Sequence, residues 1–190
     1  TGNIPIKKVK AFLRPGHPYI KIAVPLGLGD SYRNSRIIGT TQSFDSLYDI
    51  RVETGRNRSA HSEVVIGHEV AVNLELKPGD KIQSAHGYNM EDMVHDHDLE
   101  VVGILAKQGN ITDQLILTNI QTIWEVHGDH LHDNTAPPKN SDLLEYEDKS
   151  ITSILIDFKG RNMQTLKWPR QINSNTNLQA VTPAQEAARL

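Results

Sequence analysis

The sequence predicts an α+β fold. Short runs rich in branched apolar residues alternate with helix-period segments, polar turns separate them, and no internal repeat relates one part of the 190-residue chain to another. The clearest example is the stretch from His86 to His132. Leu99-Glu100-Val101-Val102-Gly103-Ile104-Leu105 reads as a strand that stops at the turn signal Gln108-Gly109-Asn110. Gln114-Leu115-Ile116-Leu117-Thr118 follows as a second short strand. Ile120, Ile123, Trp124 and His127 then fall at i, i+3, i+4 and i+7, the spacing of one helix face, and Thr118 with Gln121 has capping-box spacing.

From the start of the chain, Ile4, Ile6, Val9, Phe12 and Leu13 alternate with Lys7, Lys8 and Lys10 and predict an amphipathic helix ended by Arg14-Pro15-Gly16. A strand follows over 19–24, where Pro25 argues for an edge or bulge. Gly27-Leu28-Gly29-Asp30-Ser31 reads as a tight connection to a returning strand over 35–41, and 43–48 as a short helix. The polar stretch 49–61, with Arg51, Arg56 and Arg58, reads as an exposed loop. A strand at 64–66, a turn at Gly67, a helix with Val70, Ala71 and Leu74 on one face, and the Lys77-Pro78-Gly79-Asp80 turn lead to a strand over 81–85. Beyond the central stretch, 133–149 reads as a mobile loop, 150–158 as a strand, 160–170 as a helix broken by Pro169, and 177–181 as a last strand. Thr182-Pro183-Ala184-Gln185 has the signature of a helix start, and a helix starting there runs off the end at Leu190, so the chain is expected to continue.

Composition limits the function classes. The net charge is -3 with a pI near 6.3, which gives no basic excess for nucleic acid. Without cysteine there are no disulfides and no thiolate metal sites. No apolar run approaches the roughly 18–20 residues needed to cross a bilayer. Two motifs invite chemistry. Gly29-Asp30-Ser31 resembles the nucleophile triplet of some serine esterases, and Asp92 with His95 or Asp129 with His132 has the spacing of a base pair. Ordinary turn chemistry accounts for the triplet, and the strand order lacks the doubly wound pattern of those enzymes, so no catalytic residue is assigned. The second signal is the histidines. Six of the nine, His86, His95, His97, His127, His130 and His132, flank the central stretch. His95 with His97 and His130 with His132 are i, i+2 pairs that point to one side of an extended backbone, interleaved or flanked by aspartates. Imidazole and carboxylate suit zinc, so these six are the candidate metal ligands and zinc the candidate cofactor; the alternative is a set of solvated loop residues. His17, His61 and His68 carry no role in this reading. Trp124 is assigned to the core, and Arg51, Arg56 and Arg58 to a solvated loop face.

Val24-Pro25-Leu26-Gly27-Leu28-Gly29-Asp30-Ser31-Tyr32 with Arg36-Ile37-Ile38-Gly39-Thr40 resembles the extracytoplasmic domain of MacB/FtsX-type ABC transporter permeases. So do Glu63-Val64-Val65-Ile66-Gly67-His68-Glu69-Val70-Ala71 with Leu76-Lys77-Pro78-Gly79-Asp80, Val101 to Leu105, and Thr112 to Thr118. Pro183-Ala184-Gln185-Glu186 resembles the helix leading into the second membrane span. The resemblance implies a MacB-like periplasmic domain with a porter-like lobe from residues 1–62 and 133–190 and a smaller inserted α/β lobe from 63–132. It implies flanking membrane helices, so that this chain is a soluble piece of a bacterial inner-membrane protein facing the periplasm or the extracellular side. It further implies an ATP-binding subunit, a second permease copy, and a substrate or partner such as a lipoprotein, peptide or small molecule. It implies no catalytic residue in the domain itself. The rival expectation is a zinc-binding or zinc-delivery protein that uses the histidine-rich loops.

Overall fold

The computed structural model describes residues 3–86, 94–126 and 138–183, with backbone alone for 84–86 and 94–97. Its elements in order are β1 (Ile4–Pro5), α1 (Ile6–Leu13), β2 (Ile20–Tyr32), β3 (Ser35–Thr40), α2 (Gln42–Tyr48), β4 (Val52–Gly55), β5 (Glu63–Ile66), α3 (His68–Leu74), β6 (Lys81–His86), β7 (Val94–Leu105), β8 (Leu115–Asn119), α4 (Ile120–Val126), β9 (Ser150–Ile151), β10 (Ser153–Phe158) and α5 (Met163–Asn175). This is the α+β class that the alternating patterns predict.

Eight strands form one mixed sheet in the order β10-β2-β3-β8-β5-β7-β4, and β6 joins β2 to β7. β3 runs parallel to β8 and β5 parallel to β7, while the remaining neighbours are antiparallel. The apolar runs are continuous because the sheet is covered on both faces. Ile37, Val64, Ile66, Val101 and Ile116 enter one buried cluster with Val70 and Ala71 of α3. Their neighbours Ile38, Val65, Val102 and Leu117 enter the other with Phe44 of α2. Alternate residues of one strand serve opposite faces, as the pleat requires. A third cluster lies at the end of the sheet, where Ile6, Val9 and Leu13 of α1 meet Ile120 and Trp124 of α4, Leu143 and Ile151. The Trp124 indole donates to the Ser150 carbonyl at 2.8 Å, so its one polar atom is satisfied within the core. Helix α4 lies close over β3 because Gly39 has no side chain there: a Cβ would stand 2.3 Å from Ile123 Cγ1 and 3.1 Å from Ile120 Cα.

Several expectations are corrected. The 27–31 segment is not a turn. β2 continues through it to Tyr32 and reverses at Arg33-Asn34, whose φ values of 44° and 71° are those of a two-residue hairpin turn. The loop at 49–61 holds β4, which pairs with β7. Thr118 is a strand residue whose hydroxyl donates to the Glu63 carbonyl, so it does not cap α4. Within 138–149 a 3-10 turn at Asp142–Glu145 buries Leu143, and the Lys149 carbonyl accepts from Ile6 N–H, which fastens this segment to α1. Pro169 does not break α5, which runs on to Asn175 from a capping box made by Asn162 and Thr165. No strand forms over 177–181; the Asn173 side chain instead bonds both backbone groups of Ala180. Of the helix expected from Thr182, residues 184–190 lie outside the described residues.

Candidate functional site

The six candidate ligands fall mainly where side chains are not described. His127, His130 and His132 lie outside the described residues. His86 ends β6, and His95 and His97 are the second and fourth residues of the β7 backbone, which begins five residues before the predicted strand. Register places Ala85 of β6 opposite Val94 of β7 and His86 opposite Asp30 of β2, so the backbones of His86 and His95 each stand one residue from the Ala85–Val94 rung, on opposite sides of it. Among the described residues no group of three or more His, Asp or Glu is placed to hold a metal ion. Asp30 and Ser31 are both buried within β2, and Ser31 pairs across to Arg36 and Ala85, so this serine is a strand residue of a covered sheet rather than a presented nucleophile.

The polar chemistry that the structure does assemble lies on the 56–63 segment, which the sequence reading treats as a solvated loop. Arg58 is instead fully buried. It donates to Asp45 of α2 at 3.0 Å, and Asn57 links the two groups through bonds to both. Arg56 forms a two-toothed pair with Glu63, whose carboxylate also accepts from the backbone N–H groups of Ser59 at 2.7 Å and Ala60 at 3.0 Å. The Arg56 guanidinium, helped by those N–H groups and opposed by partial burial, holds the Glu63 carboxyl at about 2. His61 has a partner too: Nδ1 lies 2.6 Å from Glu125 of α4. The Ala60 carbonyl accepts from Asn119 at the end of β8. One loop is therefore tied to α2, β5, β8 and α4. A turn-rich polar composition hides this, because the partners lie far away in sequence.

A second assembly ties the two ends of the chain together. Ile4 and Pro5 pair with Ile151 and Ser150. Around Trp168 of α5 stand Phe12 of α1 at 5.7 Å, His17 at 5.5 Å, Tyr19 at 6.1 Å and Phe158 of β10 at 5.5 Å between ring centroids, mostly edge to face. Beside it a groove of about 360 Å³ runs between the α1–β2 connection, α2 and residues 139–141. From this cluster β2 extends thirteen residues, bonding β10 with its first half and β3 and β6 with its second. Lys8 reaches Asn177 at 2.9 Å and Lys10 reaches Glu147 at 2.7 Å, adding polar ties at the same end.

The architecture is that of an α+β domain whose two ends meet at one side of a mixed sheet. Among the described residues no helix is long and apolar enough to cross a membrane. The family model of the MacB-like periplasmic core domain matches residues 2–165, and the chain belongs to that family. It is accordingly the extracytoplasmic domain of a MacB/FtsX-like ABC transporter permease, a class in which the ATPase is separate from this domain. Among solved structures, the extracellular domain of the noncanonic ABC-type transporter YknZ from Gram-positive bacteria is 13% identical, with a TM-score of 0.52 over 90% of this chain and 78% of its own. The periplasmic region of MacB from Actinobacillus actinomycetemcomitans is 12% identical, with a TM-score of 0.46 over 94% of this chain and 86% of its own. At 13% identity the likeness to the YknZ domain speaks to the fold alone. No curated protein matches the sequence.

Proposed function

We propose that this domain couples ATP-driven movement of flanking membrane helices to the handling of a substrate or partner on the far side of a bacterial inner membrane. Family membership supports the setting, and one structural observation carries the mechanism: both chain ends are bound into a single unit by β1–β9 pairing and the Trp168 cluster. A relative displacement of two membrane helices would reach that unit first. Strand β2 begins inside it and extends, at about 3.3 Å per residue, roughly 40 Å into the mixed sheet. A hydrogen-bonded strand shared by both regions carries such a displacement as a rigid lever rather than dissipating it in a loop. In this reading residues 1–62 and 133–190 form the driven lobe and 63–132 the lobe that follows it. A second permease copy and an ATP-binding subunit complete the transporter, and the cargo is a lipoprotein, a peptide or a small molecule.

The test uses the full-length permease with its ATPase in membranes. Trp168→Ala should leave ATP hydrolysis close to wild type while lowering transport about tenfold, the signature of uncoupling. Unchanged transport would remove the lever, and a full-length sequence without hydrophobic spans flanking these residues would remove the whole proposal.

The zinc reading is favoured by one observation, the register that sets the His86 and His95 backbones two rungs apart on paired strands, with Asp30 opposite His86. Calorimetric titration with zinc near neutral pH tests it. Micromolar or tighter binding that is lost in His95→Ala with His97→Ala supports it, whereas no binding, or binding unchanged in that variant, discards it.

A further inference from the structure

Charge is unevenly divided along this chain. Residues 1–29 and 158–183 hold nine Lys and Arg and no Asp or Glu, although the whole chain has a net charge of -3. Helix α5 lies in the second of these stretches, and its two sides differ in kind. Thr165, Trp168, Pro169 and Ile172 turn toward the body of the domain. On the opposite side Met163, Leu166, Lys167 and Arg170 recur at i, i+3, i+4 and i+7, the spacing of a single face. All four are exposed, Met163 by 67% and Leu166 by 64%, the two largest values among the exposed large hydrophobic residues. Lys159 and Arg161 are exposed just before the helix. Among the described residues none of these four cations has an ion pair, and the nearest carboxylate in sequence, Asp157, is engaged by Lys21 at 3.2 Å.

We propose that this face of α5, with Lys159 and Arg161, rests on an anionic phospholipid bilayer. An exposed pair of flexible apolar side chains ringed by cations without counter-charges is the arrangement that binds in the headgroup region: the apolar groups enter the acyl boundary and the cations meet phosphate. Met163 and Leu166 lie one turn apart on the same face as Lys167 and Arg170, so apolar and cationic groups would meet a headgroup region together. The reach fits. Residues 176–181 separate α5 from the helix start expected at Thr182 and span about 20 Å fully extended, so the end of α5 lies within about that distance of the expected membrane-entering helix. The placement beside the membrane rests on the proposed function. Tethering by the flanking spans would make a weak lipid affinity sufficient, because the encounter is then intramolecular.

The 190-residue chain is mixed with sedimentable vesicles of phosphatidylcholine alone or with phosphatidylglycerol, at low and physiological salt. Binding should require phosphatidylglycerol and weaken with salt. Lys167→Gln with Arg170→Gln should weaken it about 30-fold, at about 1 kcal/mol for each cation near the surface, and Leu166→Asn should weaken it further. All three side chains are exposed, so the circular dichroism and melting temperature of the variants should match wild type. No binding to phosphatidylglycerol vesicles, or binding indifferent to these substitutions, overturns the proposal while leaving the family assignment intact. Loss of transport in the full-length variants without any vesicle binding would also overturn it and assign the face to an acidic protein partner.

Discussion

Glu63→Gln removes the charge of the carboxylate that organises the 56–63 segment and keeps its shape. In the folded chain Oε2 accepts from Arg56 Nη1 at 2.8 Å and from the N–H groups of Ser59 and Ala60, while Oε1 accepts from Arg56 Nη2. Glutamine can replace the Oε2 contacts with its carbonyl, but its amide then faces the second arm of the guanidinium as donor against donor. The carboxyl is held at about 2 against an ordinary 4.5, so the ionised form stabilises the fold fully above pH 4.5, and that stabilisation is lost as pH falls toward 2. At about 1.4 kcal/mol for each tenfold preference the ceiling is about 3 kcal/mol. The Arg56 side chain is 54% exposed, so water and salt screen the pair and the expected loss at pH 7 is about 1–2 kcal/mol. Urea unfolding of both proteins at pH 7, 4 and 3 reads this directly. The gap should shrink to less than half of its pH 7 value by about pH 3. A gap that stays constant across this range would show that shape, not charge, sets the role of Glu63, and no gap at pH 7 would refute the account of the segment.

Arg58→Ala should cost about 3–5 kcal/mol, because it leaves Asp45 partly buried without its cation; Arg58→Met with Asp45→Leu should recover much of that loss in chemical denaturation. Gly39→Ala should destabilise by about 1–3 kcal/mol through contact with Ile123, and adding Ile123→Ala, which deletes the atom met at 2.3 Å, should make the pair less costly than the sum of the single changes. Asn162→Ala removes the acceptor for the Gln164 and Thr165 N–H groups and should cost about 1 kcal/mol, with faster amide exchange confined to the first turn of α5.

The covered strands were legible from the sequence because burial on both faces demands unbroken branched apolar runs. Val64-Val65-Ile66, Val101-Val102 and Ile116-Leu117 could have been little else. Helix α1 was legible for a related reason: Ile6, Val9 and Leu13 keep helical spacing and are all buried. The ordered set of short motifs carried the family. Local rules failed where tertiary contacts outweighed them. Gly27 to Ser31 has turn composition, yet bonds to β3 and β6 hold it extended, and the reversal is left to Arg33-Asn34. Pro169 loses one helical bond, but Trp168 beside it packs against Phe12, His17, Tyr19 and Phe158 and holds the helix to the body across the turn that proline weakens.

The same division holds for function. The sequence alone determined the fold class, the covered strands and the family resemblance, because periodicity and ordered motifs are local properties of a chain. It also held the charge asymmetry of the two chain ends, a signal that needs only counting. Only the tertiary structure decided that Arg58 is buried against Asp45, that Glu63 organises a loop, and that Trp168 joins α1, the segment leading into β2, and β10. It alone separated the two sides of α5, since an amphipathic pattern names two faces without saying which one the body covers. Each of these depends on which distant residue arrives at a given point, and the energy of burying a charge or a ring exists only once its partner is there.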